Sequence, residues 1–397
     1  MKGPSPKHLK SFVESSYHLA SYLYRPGDGR PQPQIPAQAL LWSVLVGQIL
    51  RESSFHAVEA LVRSPARSQL GVARRFGDDA LAYFTERLDP AVTRRAMAEV
   101  LRQAKRKKAF QGSRRLGLIV DGTGAGRCHV QPCSLCHPVG TAELEVVTYL
   151  HHLSMISLVG GGLTLPFDVE PYPAGDTEVA ASTRLLRRAV EDLGPRFADY
   201  VVADGLYARA PFLHAAGDLG LHAVVRLKGS LPELQAQAEA RFGPSPPSRV
   251  AQIDGDTVEL WDADDFDPWD ALRWPTVRVL RYRQHKPDGT VFQADWLTDY
   301  PSHEVSSHAL YRMAKSRWGI ENQGFNVNKT HHAMEHVSHH HANSLLLQWL
   351  LLLLALMIER LYRLRYLHRG THPALSAIEL VRRLRLTLGP PRPPDSS

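Results

Sequence analysis

Cysteine is scarce in this chain, with 3 in 397 residues. So few thiols cannot frame a disulfide scaffold at that length, which makes a reducing compartment the expectation. A leader pattern is missing too: MKGPSPKHLK runs into a polar stretch with no apolar segment behind it. The one long apolar run, LLLQWLLLLLALMI from Leu345 to Ile358, is shorter than the ~18 residues expected of a membrane span. It reads as a fully buried core helix, with no membrane as partner. No internal repeat is visible. What is present is ordinary for a globular chain: 44% hydrophobic and 22% charged residues, which excludes wholesale disorder. The length suits two or three domains, or one large core with insertions. Lys and Arg (47) exceed Asp and Glu (40), a balance that leans toward an anionic partner.

Along the chain, residues 1–36 are polar and rich in Pro and Gly and are expected to form a flexible arm. Residues 37–110 show helical periodicity, with Asp89 before Pro90 as an N-cap followed by proline in the first turn. That region closes on Lys105, Arg106, Lys107 and Lys108, read either as a solvated face or as a phosphate contact. The middle changes character. LGLIV ends in Asp121, and YVVA ends in Asp204. Between them VVTYLHHLSMISLV, GGG and LTLPFDVEPY form a hairpin pattern, and TEVAASTRLLRRAVEDL has helical spacing. A further helix and the strand HAVVRLKG follow. The order implies an α/β layer, antiparallel on one side and parallel on the other. Residues 230–301 read as a β-rich insertion holding four of the seven tryptophans. Helical text resumes after it, and residues 369–397 are expected to be a tail.

Two acids at the ends of buried strands are costly unless something pairs with them. In an open α/β sheet such ends converge on one crevice. Asp121 and Asp204, each followed by glycine, leave room there for a divalent cation and a phosphate. Caps or turn residues are the plainer reading of either alone. A third acid, Glu321, lies four residues after Arg317 in SRWGIENQGFN, on one helical face. A simple ion pair is the competing interpretation.

Taken together, LIVDG, VVADGLY and RWGIENQGFN followed by a lysine resemble the Asp-Asp-Glu transposases of bacterial insertion sequences, in the branch with a Tyr-Arg-Glu-Lys signature. The resemblance covers about residues 40–365. It implies an α/β, ribonuclease-H-like mixed sheet flanked by helices, with a β-rich insertion before the last catalytic helix and an N-terminal helical region. By position, residues 37–110 become the DNA-binding region, and 111–229 with 302–368 the catalytic domain. Asp121, Asp204 and Glu321 match the acids that hold two Mg²⁺ or Mn²⁺ ions. Arg317 matches the DNA-contacting arginine, and Lys329 is the nearest match to the downstream lysine. Ala314 stands where the branch has tyrosine, so Tyr311 is the nearest aromatic; Asn328 stands at the usual lysine spacing. The implied chemistry is endonuclease cleavage and strand transfer by two-metal in-line displacement, with no covalent enzyme intermediate. The implied partners are double-stranded DNA, terminal inverted repeats and target DNA, bound by a dimer in the bacterial cytoplasm at the nucleoid. A catalytically dead DNA-binding descendant is the alternative.

Three further groups need a reading. Cys128, Cys133, Cys136 and His137 cluster within ten residues as a candidate zinc set, with His129 a competing ligand and buried free thiols the plain alternative. His332-x-x-Glu335-His336 matches an inverted zinc-peptidase motif. Asp176 and Glu178 are expected to cap a helix, with tuning of metal occupancy as the competing role. Trp296 is a candidate for stacking on an extruded base, with core packing as the competing role.

Overall fold

The computed structural model describes residues 5–23, 27–128, 133–139, 148–364 and 376–388. Seven helices come first: α1 (Pro6–Tyr17), α2 (Leu19–Leu23), α3 (Ala37–Ile49), α4 (Phe55–Arg63), α5 (Arg67–Leu70), α6 (Asp78–Arg87) and α7 (Pro90–Arg106). The expected arm therefore carries a 12-residue helix, capped by Ser5, that buries Leu9, Val13 and Tyr17. Apolar residues at helical spacing outweigh the polar composition of the stretch. Asp89 caps α7 as expected, its Oδ1 accepting from Ala91 N–H at 2.9 Å.

The strands β1 (Gly117–Cys128), β2 (Cys136–Val139), β3 (Thr148–Gly160) and β4 (Leu163–Tyr172) follow. Gly161 and Gly162 turn β3 into β4 with φ of 57° and 78°, the left-handed pair that a two-residue hairpin requires. Next come α8 (Glu178–Leu193), β5 (Tyr200–Ala203), α9 (Ala210–Asp218), β6 (His222–Leu227) and α10 (Pro232–Phe242). β7 (Arg249–Ile253), β8 (Asp256–Phe266), β9 (Val277–His285) and β10 (Val291–Thr298) form the β-rich insertion, which opens on the helix α10 rather than on a strand. The chain closes with α11 (Ser307–Ser316), α12 (Asn326–His331), α13 (Ala342–Tyr362) and α14 (Ala377–Leu388). Part of the expected tail is thus helical, burying Leu380, Val381, Leu384 and Leu388.

β3 lies antiparallel to β1, β1 parallel to β5, and β5 parallel to β6. With β4 beyond β3, the inner five strands have the ribonuclease-H-like order, antiparallel on one side and parallel on the other. β10 pairs directly with β6, so the insertion extends the same sheet outward through β9, β8 and β7. Apolar alternation fixes this register, since a one-residue slip would turn each strand's core face outward.

α13 is longer than the apolar run suggested, at 21 residues, and by length and composition it is long enough to cross a membrane. In the fold, 89% of its most apolar 18-residue window is buried, against α3, α6, α7 and β4. The helical region and the sheet therefore share one apolar core. A second core on the other side gathers Tyr200, Val202, Tyr282, Trp296 and Tyr311 under α11.

Candidate active site

Parallel pairing of β1 with β5 ends at Ile119 opposite Val202. Two residues further on each strand stand Asp121 and Asp204, so the two acids share one register level and one face. β1 does not stop at Asp121, as its apolar run suggested; it continues to Cys128 because β3 keeps pairing with it. The convergence survives because β5 ends there.

α11 crosses this face and delivers Arg317 and Glu321. Ser306 caps the helix, accepting from Ala309 N–H at 3.3 Å. Beyond Arg317 the helix widens into a π turn over Ile320–Phe325, a distortion frequent at functional sites. Gly319 is required at its start, because a Cβ there would meet Thr164 Oγ1 on β4. Arg360 on α13 donates to the Gln323 and Thr164 carbonyls and so ties the turn to the sheet.

Arg317 is the centre of the site and is 7% exposed. Its Nη2 lies 3.6 Å from Asp121 Oδ2 and 3.5 Å from Asp204 Oδ2. Its Nη1 lies 3.2 Å from Glu321 Oε1. Burial works against the Arg317 charge, but the three carboxylates outweigh it and hold its pKa above the ordinary arginine value. Burial pushes Asp121 up to about 7 against the pull of Arg317, with Glu178 and Asp204 adding to the rise. The two upward shifts have different causes: burial for Asp121, and the three carboxylates for Arg317. Asp204 Oδ1 is buried without a hydrogen-bond partner. Among the described residues, the three acids do not form a group with every pair of ligand atoms within 4.8 Å; Arg317 stands between them.

A fourth carboxylate sits beside the three. Glu178 Oε1 accepts from the Tyr207 hydroxyl at 2.8 Å, and a Cβ on Gly122 would collide with its carboxyl group. Thr177, not Asp176 or Glu178, caps α8 by accepting from Ala180 N–H. Asp176 instead pairs with Arg184 at 2.5 Å. Tyr207 closes the VVADGLY motif, but its bond to Glu178 depends on the turn after Asp204, which the sequence does not show.

The remaining expected site residues scatter. Lys329 Nζ pairs with Glu335 at 3.3 Å. Tyr311 and Trp296 are buried in the second core, at 3% and 2% exposure, so neither ring is presented to a partner. Lys105 donates to the Phe197 carbonyl at 2.8 Å, and Lys107 lies over the Tyr17 ring; Arg106 and Lys108 are exposed. The peptidase motif is not on a helix: α12 ends at His331, and His332 is 1% exposed and turned toward Gln48 and Arg51. His137 accepts no part in the thiol cluster, since its Nε2 bonds the Tyr172 carbonyl at 2.7 Å. His151 occupies that place instead; His129 lies outside the described residues. Sequence reading also passed over a groove of about 1060 Å³ beside the π turn, lined by Arg114, Arg115, Arg312 and Lys315.

The family model described as "Transposase DDE domain" matches residues 112–358. No curated protein matches the chain. Among solved structures, a piggyBac transposase synaptic complex with hairpin DNA is similar, with a TM-score of 0.47 and 11% identity over 97% of this chain and 80% of that one. The match over residues 112–358 spans more than half of the sequence, and this chain belongs to the transposase DDE-domain family.

Proposed function

We propose that this transposase cleaves DNA at the ends of a mobile element and joins the freed end to target DNA, using Asp121, Asp204 and Glu321 as ligands for divalent cations. One observation carries the reading. Three carboxylates from segments far apart in the chain face a single buried guanidinium. The donor set suits Mg²⁺ or Mn²⁺: every candidate ligand atom is a hard oxygen, and Asp204 Oδ1 is buried without a partner. When bound, a pair of such cations supplies an activated water or 3′-hydroxyl and a neutralised leaving oxygen for in-line displacement.

The protein's own groups do the rest. Arg317 holds the acids together against their mutual repulsion and, on yielding that place, is positioned to contact the DNA phosphate. Tyr207 orients Glu178 as an accessory acid. Arg114, Arg115, Arg312 and Lys315 supply positive charge along the groove for the DNA backbone, with the helical region 37–110 adding contacts to the terminal inverted repeats. Two ends must be held together, which calls for a dimer on DNA.

The test is cleavage of a labelled duplex carrying one element end, in Mg²⁺ or Mn²⁺, by wild type and Asp204→Asn. Loss of cleavage with DNA binding retained is the expected result. Equal cleavage by the variant removes Asp204 from the site. Binding without cleavage by the wild type in either metal identifies an inactive DNA-binding descendant.

A further inference from the structure

We infer that Cys128, Cys133, Cys136 and His151 form a closed structural zinc site that staples the far end of β1 to β2 and β3. The sulfur of Cys136 lies 3.5 Å from that of Cys128 and 3.6 Å from that of Cys133. His151 Nε2 lies 3.2 Å from Cys133 Sγ and 3.4 Å from Cys136 Sγ. Cys128, Cys136 and His151 have all their ligand atoms within 4.8 Å of one another. A tetrahedral ion with Zn–S near 2.3 Å and Zn–N near 2.05 Å separates its ligands by about 3.8 Å (S to S) and about 3.6 Å (S to N). These four separations need to open by only a few tenths of an ångström, while the Cys133 sulfur, which lies outside the common group of Cys128, Cys136 and His151, must draw toward that of Cys128. They are far beyond the ~2.05 Å of a disulfide, and all three cysteines are free.

The backbone prepares the set. His151 pairs with Ala125 on one side and with Cys136 on the other, which places Cys136 and His151 in one cross-strand row. Gly126 forms a bulge between Ala125 and Arg127, with φ of 72°. That extra residue brings Cys128 onto the face of Ala125 and His151; without it the alternation would turn Cys128 away. The Gly126 carbonyl then accepts from His151 Nδ1 at 3.3 Å, which leaves Nε2 as the unprotonated, metal-facing nitrogen. The Cys133 N–H donates to Cys136 Sγ at 3.3 Å, a contact that favours thiolate over thiol.

His151 is 0% exposed, and Cys128 and Cys136 are buried. Four protein ligands with no open position describe a structural site, not a catalytic one, and soft sulfur donors select zinc over the hard cations suited to the carboxylates. On binding, the three thiol protons pass to solvent. The site lies on the same face of β1 as Asp121, four paired positions along the strand at Ala125, or ~13 Å at the usual strand rise.

The test uses the full-length chain purified without chelator. Elemental analysis is expected to find one zinc per chain. Cys136→Ser and His151→Ala are expected to lose it, while His137→Ala keeps it. Because buried substitutions also endanger folding, the wild type is separately stripped of metal and titrated with Co²⁺. Intense thiolate-to-cobalt absorption that saturates at one equivalent supports the site. Substoichiometric zinc with no such absorption overturns it, as does metal loss in His137→Ala alongside retention in His151→Ala.

Discussion

Two clusters in this molecule set buried carboxylate against arginine, and they are built in opposite senses. At the sheet face, three acids share Arg317. Between α3 and α13, one acid faces several cations. Glu359 is 1% exposed, lies 3.3 Å from Arg51 and 3.7 Å from Arg363, and has His332 at 4.0 Å. Burial pushes the Glu359 carboxyl up, with Arg51, Arg363 and Arg360 opposing. Burial drives His332 down to about 3, with the charge of Arg51 adding to the effect. Its Nδ1 donates to the Gln48 carbonyl at 3.2 Å. The second cluster is closed and tied to backbone. The first has a surplus of negative charge and an orphaned oxygen. The difference lies in the sign of the excess and in the partners: cations outnumber the acid around Glu359, whereas acids outnumber the cation around Arg317 and one carboxylate oxygen there has no hydrogen-bond partner.

Neutralising an acid at the sheet face is the sharpest way to probe that contrast. Asp121→Asn, Asp204→Asn and Glu321→Gln are each expected to lower DNA cleavage by roughly 10³-fold or more, since several kcal/mol of transition-state stabilisation depend on the set. Thermal stability is expected to hold or rise, because repulsion around Arg317 is relieved. A variant that unfolds at a lower temperature would make this cluster structural like its counterpart.

Glu359→Ala tests the other side. It removes the buried carboxylate with which Arg51 and Arg363 pair, and the expected loss is about 3 kcal/mol or more in chemical denaturation. Cleavage per folded molecule is expected to stay unchanged.

Acid sharpens the comparison further, because the two clusters respond with opposite sign. His332 stays neutral in the fold down to about 3, whereas the unfolded chain protonates near 6.5. Its contribution is full above 6.5 and is lost as pH falls toward 3. Asp121 holds its proton up to about 7 in the fold, against 3.8 unfolded. Its contribution is present below 3.8 and is lost as pH rises through 7. In metal-free buffer the two slopes oppose each other between pH 4 and 6.5. Asp121→Asn is expected to remove one slope, so that stability climbs more steeply with pH across that window. Denaturation midpoints measured along the pH series decide it, and an unchanged slope would refute the assignment.

The smallest effect is expected from Tyr207→Phe, which removes hydroxyl bonds to Glu178 and Ser182, both at 2.8 Å. About 1 kcal/mol of stability should go, with cleavage reduced less than tenfold. A loss as large as that of Asp204→Asn would promote Glu178 from accessory acid to full member of the set.

Much of the sheet was legible because buried strands announce themselves as short apolar runs, and two acids in matching strand-end contexts weigh more than the cap or turn reading that suits either alone. The Arg317–Glu321 pairing was legible from helical spacing, although the π turn was not, and the close approach of Gly319 to Thr164 is a contact across the fold that spacing does not show. Tertiary partners explain the other misses. His137 and His151 look alike as ligands in the text, and only the β3 register and the Gly126 bulge choose between them. Tyr311 and Trp296 suited DNA contact by residue type, yet Tyr311 points from α11 into the second core, where Trp296 is buried too. Polar composition concealed α1, whose apolar residues occupy a single stripe.

The seam between β10 and β6 has a mechanical meaning. Asp295–Thr298 pair residue by residue with Leu227–Val224, and β6 is the immediate neighbour of the strand leading to Asp204. The outer strands are therefore cantilevered from the chemistry itself, with no hinge in between. A load placed on that overhang reaches the strand beneath Asp204 through one continuous ladder of hydrogen bonds.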